Sequence, residues 1–157
     1  MAIMVQTLTL SPAFLQEIKE DDHQLRQLLD RLRQALQIRD WGESQLRQLA
    51  KVTAQLRDRL AFHFTLEESY GYFEDPVSVA PRLCEAAEDL RSEHGRLYSH
   101  IAQVADDADG CHHAADEMAC GELRASCRKF VRCFEEHEAR ENELISRAFN
   151  EDIGECD

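Results

Sequence analysis

Residues 49–68 read LAKVTAQLRDRLAFHFTLEE, and the spacing of their apolar side chains decides the fold. The apolar positions that recur every three or four residues are Leu49, Val52, Leu56 and Leu60. This spacing is typical of an α-helix with one buried face. The same spacing continues to His63 and Glu67, so the buried face of this predicted helix ends on an imidazole and a carboxylate.

Three further stretches carry an apolar stripe of the same period, and each stripe is interrupted by histidine or an acid alone. The first stripe comprises Leu15, Ile18, Asp22, Leu25, Leu29, Leu32 and Leu36. The third comprises Leu83, Ala87, Leu90, His94, Leu97, Ile101 and Val104. The fourth comprises Leu123, Cys127, Phe130, Phe134, His137, Glu141, Leu144 and Ala148. Every predicted helix therefore brings at least one polar group to its inner face.

Capping residues and breaks between the stripes predict helices over about 12–37, 45–70, 79–106 and 117–149. Ser11 and Pro12 favour the first start, and the segment CHHAAD is expected to form the loop before the last helix. Four helices joined by short loops predict an all-α, up-down-up-down four-helix bundle. Since no repeat or linker divides the 157 residues, a single domain over 1–157 is expected.

The charge and the cysteines limit the classes of function. The formal net charge of −13 disfavours binding to nucleic acid or to an anionic membrane surface. The chain starts without a basic segment followed by an apolar one, and no stretch has the apolar length of a membrane span. We therefore expect a cytoplasmic protein whose six cysteines, none in a C-x-x-C pair, are reduced.

Acids on the inner face of a bundle require a compensating charge. An unpaired carboxylate in a dry core costs several kcal/mol, so leucine at these positions would give a more stable bundle. A cation removes that cost, and the pairs His63/Glu67 and His137/Glu141 each place an imidazole and a carboxylate on one helix face. Such ligands suit iron, manganese or zinc, and two metal ions in the core are the favoured interpretation.

The quoted motifs resemble those of the hemerythrin-like, HHE cation-binding family of non-haem iron bundles. The resemblance rests on HFTLEE with His63 and Glu67, EHGRL with His94, and HEARENEL with His137 and Glu141. It implies two iron ions, with Glu67 and Glu141 as bridges, His63 beside one ion, and His94 with His137 beside the other. Some members bind O2 reversibly, whereas others sense oxygen, iron or redox state or react with peroxide.

Two positions depart from the family pattern. The family has a first-helix histidine followed by apolar residues three and seven positions on, and here Asp22 rather than His23 has that spacing. Asp22 is therefore the expected first-helix ligand, with His23 as the alternative. Tyr98 stands where reversible O2 carriers have a second histidine, so simple O2 transport is disfavoured. The phenol is a candidate for the oxygen pocket or for an iron ligand, with plain packing as the favoured alternative.

The remaining candidates are cysteines and aromatic residues. Cys111, His112, His113 and Cys120 have the ligand types of a second, soft metal site, but a plain polar loop is the default interpretation. Nothing adjacent in sequence lowers the thiol pKa of Cys120, so no redox role is predicted for it. Aromatic residues expected to form an apolar wall beside the metal motif are Phe62, Phe64 and Tyr70.

Three functional hypotheses follow. The favoured one is a di-iron protein that binds O2 or a reactive oxygen species, with O2 or peroxide as its small ligand and with no nucleic-acid or membrane partner. The second is a metal-free helical scaffold or interaction module on the same fold. The third is a weak peroxidase or oxidase that uses an open metal position.

Overall fold

The structure, a computed structural model, describes residues 12–69, 81–114 and 116–154, with side chains described for 20–68, 82–114 and 116–148. Its helices are α1 (Pro12–Gln37), α2 (Glu43–Ser69), α3 (Cys84–His113) and α4 (Glu117–Gly154). A single 3-10 turn, Pro81–Leu83, leads into α3. No strand occurs in the described ranges, so the predicted all-α four-helix bundle is confirmed.

The bundle closes because each helix packs against the next one in the chain and α1 also packs against α4. Arg124 of α4 fastens the end of α1, since its guanidinium donates hydrogen bonds to the carbonyl oxygens of Leu36 and Ile38 at 2.8 and 2.7 Å. The same guanidinium lies over the Trp41 ring, 4.0 Å from its centroid. These contacts satisfy carbonyl groups that the last turn of a helix leaves without a backbone partner.

The apolar core has two parts of unequal size. The larger part runs through all four helices and includes Leu25, Leu32, Leu49, Leu56, Leu60, Ile101, Val104, Phe130 and Phe134. The smaller part joins the start of α3 to the later turns of α4 and comprises Leu83, Ala87, Leu90, Leu144 and Ala148. Between these two parts along α3 and α4 lie the buried residues His94, His137 and Glu141. The polar groups therefore form a layer within an otherwise apolar bundle.

The third helix extends beyond its expected end near residue 106. It continues to His113, so Cys111, His112 and His113 form its last turn rather than a loop. The physical reason is that Ala105, Ala108 and Cys111 are all buried, and this three-residue interval keeps one helix face against the core. None of the described helices combines the length and the apolar character that crossing a membrane requires.

Candidate metal centre

The centre of the polar layer consists of Glu67, His94, His137 and Glu141, all of them buried. One potential ligand atom from each residue lies within 4.8 Å of those of the other three. Helix α2 provides Glu67, α3 provides His94, and α4 provides the last two residues one turn apart. The helical stripes therefore bring side chains that are far apart in sequence into one compact group.

Glu67 lies between two imidazoles. Its Oε1 atom is 2.8 Å from Nε2 of His63, which lies one turn earlier on α2. Its Oε2 atom is 3.2 Å from Nε2 of His94 on α3. Each carboxylate oxygen therefore faces a different histidine, and the single side chain connects the two sides of the cluster.

Glu141 has the corresponding position on α4. Its Oε1 atom contacts Nε2 of His137 and lies 3.5 Å from Nε2 of His94. The His94 and His137 rings meet edge to face, with 5.1 Å between centroids. His94 is therefore shared between the two glutamates.

Phe64 forms the apolar wall that was expected next to the metal motif. Its ring stacks on His94 with 3.9 Å between the centroids and an interplanar angle of 7°. Phe62 does not take part, because its side chain is exposed and lies beneath the guanidinium of Arg59. Tyr70, the third expected member, lies outside the described residues. Of the two expected members that the structure describes, Phe64 alone therefore lies against the site.

A carboxylate faces the outer ring nitrogen, Nδ1, of each of the three histidines His63, His94 and His137. The Nδ1 contacts are His63 with Asp21 at 2.7 Å, His94 with Glu68 at 3.1 Å and His137 with Glu93 at 2.8 Å. An imidazole that donates Nδ1–H to a carboxylate presents its Nε2 lone pair on the opposite side, as metal-binding histidines commonly do. This arrangement directs all three Nε2 atoms toward Glu67 and Glu141.

Arg140 connects one of these carboxylates, that of Glu93, to the surface. It forms ion pairs with both oxygens of Glu93, one of them at 2.7 Å, and thereby holds the carboxylate that faces His137. Sequence reasoning did not identify Glu68, Glu93 or Arg140 because each looks like an ordinary charged residue on the outer side of a helix. Only the packing of α3 against α2 and α4 reveals their contacts with the histidines.

In α1 the inward acid is Asp21 rather than Asp22. The Asp21 side chain is 3% exposed, whereas that of Asp22 is 44% exposed and pairs with Arg26 on the surface. Asp21 and Asp22 lie on opposite sides of the buried stripe of α1, and Asp21 is on the side that contacts His63 and Arg59 of α2. The expected assignment of Asp22 to the inner stripe is therefore corrected by one residue.

His23 also lies outside the cluster. Its side chain is exposed and its Nε2 atom is 3.1 Å from Nε2 of Gln27 on the same helix. Tyr98 is 40% exposed, so the phenol expected to border an oxygen pocket lies on the outer side of α3. The other predicted residues of the site lie together in the structure, namely His63, Glu67, His94, His137 and Glu141.

Several atoms of the site are buried without a well-directed hydrogen bond. They include Asp21 Oδ1, Glu67 Oε2, His137 Nε2 and Glu141 Oε1. Charged groups lie within ion-pair distance of these atoms, as Arg59 does at 3.7 Å from Asp21 Oδ1, but none of these contacts has the geometry of a hydrogen bond. Buried acceptors left in this way are costly unless something else satisfies them. Imidazole nitrogens and carboxylate oxygens that converge on one point are a suitable donor set for iron, manganese or zinc, so the residues fit a metal ion.

Without a cation, the site balances its charges by proton transfer between its own groups. Burial lowers the pKa of His63, but hydrogen bonds with Asp21 and Glu67 outweigh it and raise that pKa to about 10. For His94, burial is likewise outweighed by Glu141 and Glu67, and the pKa rises to about 9. Burial raises the pKa of Glu67, but its hydrogen bonds with the two histidines lower it to about 2. The imidazoles are then cations next to anions, and a metal ion must displace their protons.

The comparison with known proteins agrees with this geometry. A family model described as the hemerythrin HHE cation binding domain matches residues 13–110. Neither the curated proteins nor the solved structures gave a match. The match ends before α4, so His137 and Glu141 join the site through the geometry of the bundle alone. Because the match covers more than half of the 157 residues, the chain belongs to the hemerythrin HHE cation-binding domain family.

Proposed function

We propose that this protein binds two iron ions in the polar layer and uses them to bind O2 or a reactive oxygen species, for sensing, protection or iron handling. The observation that carries the proposal is the position of Glu67, whose two oxygens face His63 on one side and His94 on the other. A carboxylate placed in this way can bridge two cations. Manganese and zinc suit the same ligand types but are the less favoured metals.

The ligand assignment follows from the inward atoms. His63 would hold one ion, His94 and His137 the other, and Glu67 and Glu141 would bridge them. When bound, iron would supply the redox chemistry toward oxygen that these side chains lack. Asp21 has one oxygen on His63 and a second that is buried next to Arg59, at 3.7 Å. It therefore orients His63 and supplies negative charge on the α1 side.

The apolar surroundings have their own role. Phe64 covers one face of His94 and is itself part of the larger apolar cluster. Excluding water in this way strengthens every electrostatic interaction within the site. It also keeps the Nε2 atoms from being solvated, so that a cation and its small ligand can be held without competition from bulk water.

Metal analysis of Glu67→Gln tests the bridging role directly. We expect two irons in wild-type protein after aerobic loading, with new near-UV absorbance, and loss of at least one iron in the variant. The matched control is Glu143→Gln, which changes an exposed glutamate two residues beyond Glu141 and should retain both ions. Wild-type protein that takes up no iron and gains no absorbance would falsify the proposal.

A metal-free scaffold is the alternative, and one observation favours it. The histidines and carboxylates already pair with one another, as in the contacts of His63 with both Asp21 and Glu67. A chelator distinguishes the two functions, because a ligand at 100 times its Kd stabilises the native state by about 2.7 kcal/mol. For a domain of this size that corresponds to roughly 5–10 °C in Tm. A scaffold would melt at the same temperature with and without the chelator.

A further inference from the structure

A pair of cysteines lies at the end of the bundle where α3 turns into α4. Cys111 is in the last turn of α3 and Cys120 is in the first turn of α4. Cys111 is buried in the larger apolar cluster, and Cys120 is partly buried and packs against the same cluster. Cys120 is also a direct neighbour of the Cys111 thiol, whose pKa it raises through its charge and through a hydrogen bond. The short connection between the helices therefore holds two thiols together that are nine positions apart in sequence.

We propose that Cys111 and Cys120 form a dithiol site, separate from the polar layer, which a hydroperoxide oxidises to an intramolecular disulfide. No disulfide is present among the described cysteines, so the pair is in its reduced form. The ligand would be a small hydroperoxide that reaches the half-buried thiol from solvent. The reaction needs no metal, and it therefore does not depend on what the polar layer binds.

The positions of the two thiols assign their order of reaction. Cys120 is the more accessible of the two, so a hydroperoxide that arrives from solvent meets its sulfur first. Burial, followed by the neighbouring Cys120, raises the pKa of Cys111, so Cys111 stays protonated and is shielded from solvent. We therefore assign Cys120 as the attacking thiol and Cys111 as the resolving thiol.

The reaction balances in two steps. The Cys120 sulfur attacks the terminal oxygen of the hydroperoxide, the O–O bond breaks, and the thiol proton passes to the leaving oxygen, so the products are a sulfenic acid and an alcohol, or water if the oxidant is hydrogen peroxide. The Cys111 sulfur then attacks the Cys120 sulfur, the S–O bond breaks, and water leaves with the Cys111 proton. Two thiols lose two electrons in total, and the hydroperoxide gains them.

The other described cysteines lack this combination of access and a neighbouring thiol. Cys84 is exposed at the start of α3, at the opposite end of that helix from Cys111. Cys127 is fully buried, and burial raises its thiol pKa to about 12, so it is protected from oxidants. Cys133 is partly buried one turn after Lys129 on α4 and provides a matched control.

A second metal site at this end of the bundle is not supported. Within the described ranges, the one group of three or more potential ligands that converge is the cluster around Glu67. His112 and His113 stack edge to face, 5.0 Å apart, instead of converging with the thiols. A pair of thiols without further ligands favours disulfide chemistry over metal binding.

Peptide mapping of the full-length protein tests the proposal. Trypsin releases residues 97–124 as one peptide, which contains Cys111 and Cys120 and no other cysteine. After stoichiometric peroxide treatment of reduced, chelator-washed protein, we expect this peptide to be lighter by two hydrogen atoms and resistant to alkylation until a reductant is added. Cleavage at Asp116 should then leave the two halves joined.

Three variants complete the test. Cys111→Ser should stop at a sulfenic acid on Cys120, which dimedone traps, and Cys120→Ser should leave Cys111 unmodified at the same peroxide dose. Cys133→Ser should behave like wild type. The proposal is overturned if the 97–124 peptide is alkylated at both thiols after treatment, if Cys84 is oxidised first, or if Cys111 reacts equally fast without Cys120.

Discussion

The larger apolar cluster and the polar layer differ in what each needs in order to be stable. In the larger cluster, side chains such as Leu56 and Phe130 are fully buried and contact other apolar groups. In the polar layer, Glu67 and Glu141 are equally buried but have charged neighbours and poorly directed contacts. The first region is stabilised by burial alone, whereas the second depends on protons or a cation. The stability of the bundle therefore has one part that does not depend on protonation or metal binding and one part that does.

The largest expected effect is a loss of stability from a change in the larger apolar cluster. Leu56→Ala removes a fully buried side chain from the larger cluster and should lower the free energy of unfolding by about 2–5 kcal/mol. Because Leu56 lies about three turns from Glu67, the loss should be the same with and without bound iron. Chemical denaturation in both states measures it.

Two controls sharpen that result. Met118→Ala changes a residue that is 73% exposed and should alter the unfolding free energy by less than about 0.5 kcal/mol. Leu144→Ala changes the smaller cluster one turn after Glu141, so its cost should differ between iron-loaded and iron-free protein. If the cost of Leu56→Ala changed with iron while that of Leu144→Ala did not, the division into two regions would be wrong.

The next effect concerns pH in the iron-free protein. The pKa values of His63 and His94 are raised to about 10 and about 9, so their contribution to stability is full below pH 6.5 and is lost as the pH rises to 9–10. The pKa of Glu67 is lowered to about 2, so its contribution is present above pH 4.5 and is lost as the pH falls toward 2. We expect maximal stability between pH 4.5 and 6.5, measured by denaturant unfolding across the range.

Replacing an imidazole supplies the control for the pH profile. His63→Gln should flatten the decline on the alkaline side, because the raised pKa of this histidine is removed. Iron should have the opposite pH dependence, since binding requires neutral imidazoles and releases their protons. A profile for iron-free protein that keeps rising above pH 7 would show that the histidines are not held as cations.

The smallest expected effect compares neighbouring aspartates. Asp21→Asn weakens the partner of His63 Nδ1 and should reduce iron affinity about 10- to 100-fold. Asp22→Asn changes a side chain paired with Arg26 at the surface and should leave the affinity unchanged. Competition with a coloured chelator measures both. Equal losses in the two variants, or a loss in Asp22→Asn alone, would contradict the inward position of Asp21.

The sequence predicted the helices and most of the metal-ligand cluster because both can be read from the spacing of apolar residues within each single helix. His94, His137 and Glu141 follow the leucine spacing, and this spacing determines which face they share. The inward acid of the first helix was predicted one residue too late. Asp21 is four residues before Leu25 and Asp22 is three residues before it, and both spacings are compatible with one helix face. What separates Asp21 from Asp22 is the packing of α1 against α2, which brings Asp21 to His63 and which the sequence does not show.

Contacts between helices were harder to predict. Glu93 faces His137 from another helix, 44 positions away, and has no local marker. Cys111 and Cys120 were considered together only as ligands of a soft metal site, because a loop was expected where α3 continues for another two turns. In both cases the missing information is how two helices are aligned along their axes, and this follows from packing rather than from the period of either helix.

The two-sided position of Glu67 has a consequence for how the site fills. If two cations bind as proposed, one next to His63 would fix the carboxylate whose other oxygen faces His94, so the second cation would meet an altered ligand. Occupancy on one side would then be linked to affinity on the other, and the link would be reciprocal. Stepwise titration with iron should deviate from the isotherm of two independent sites.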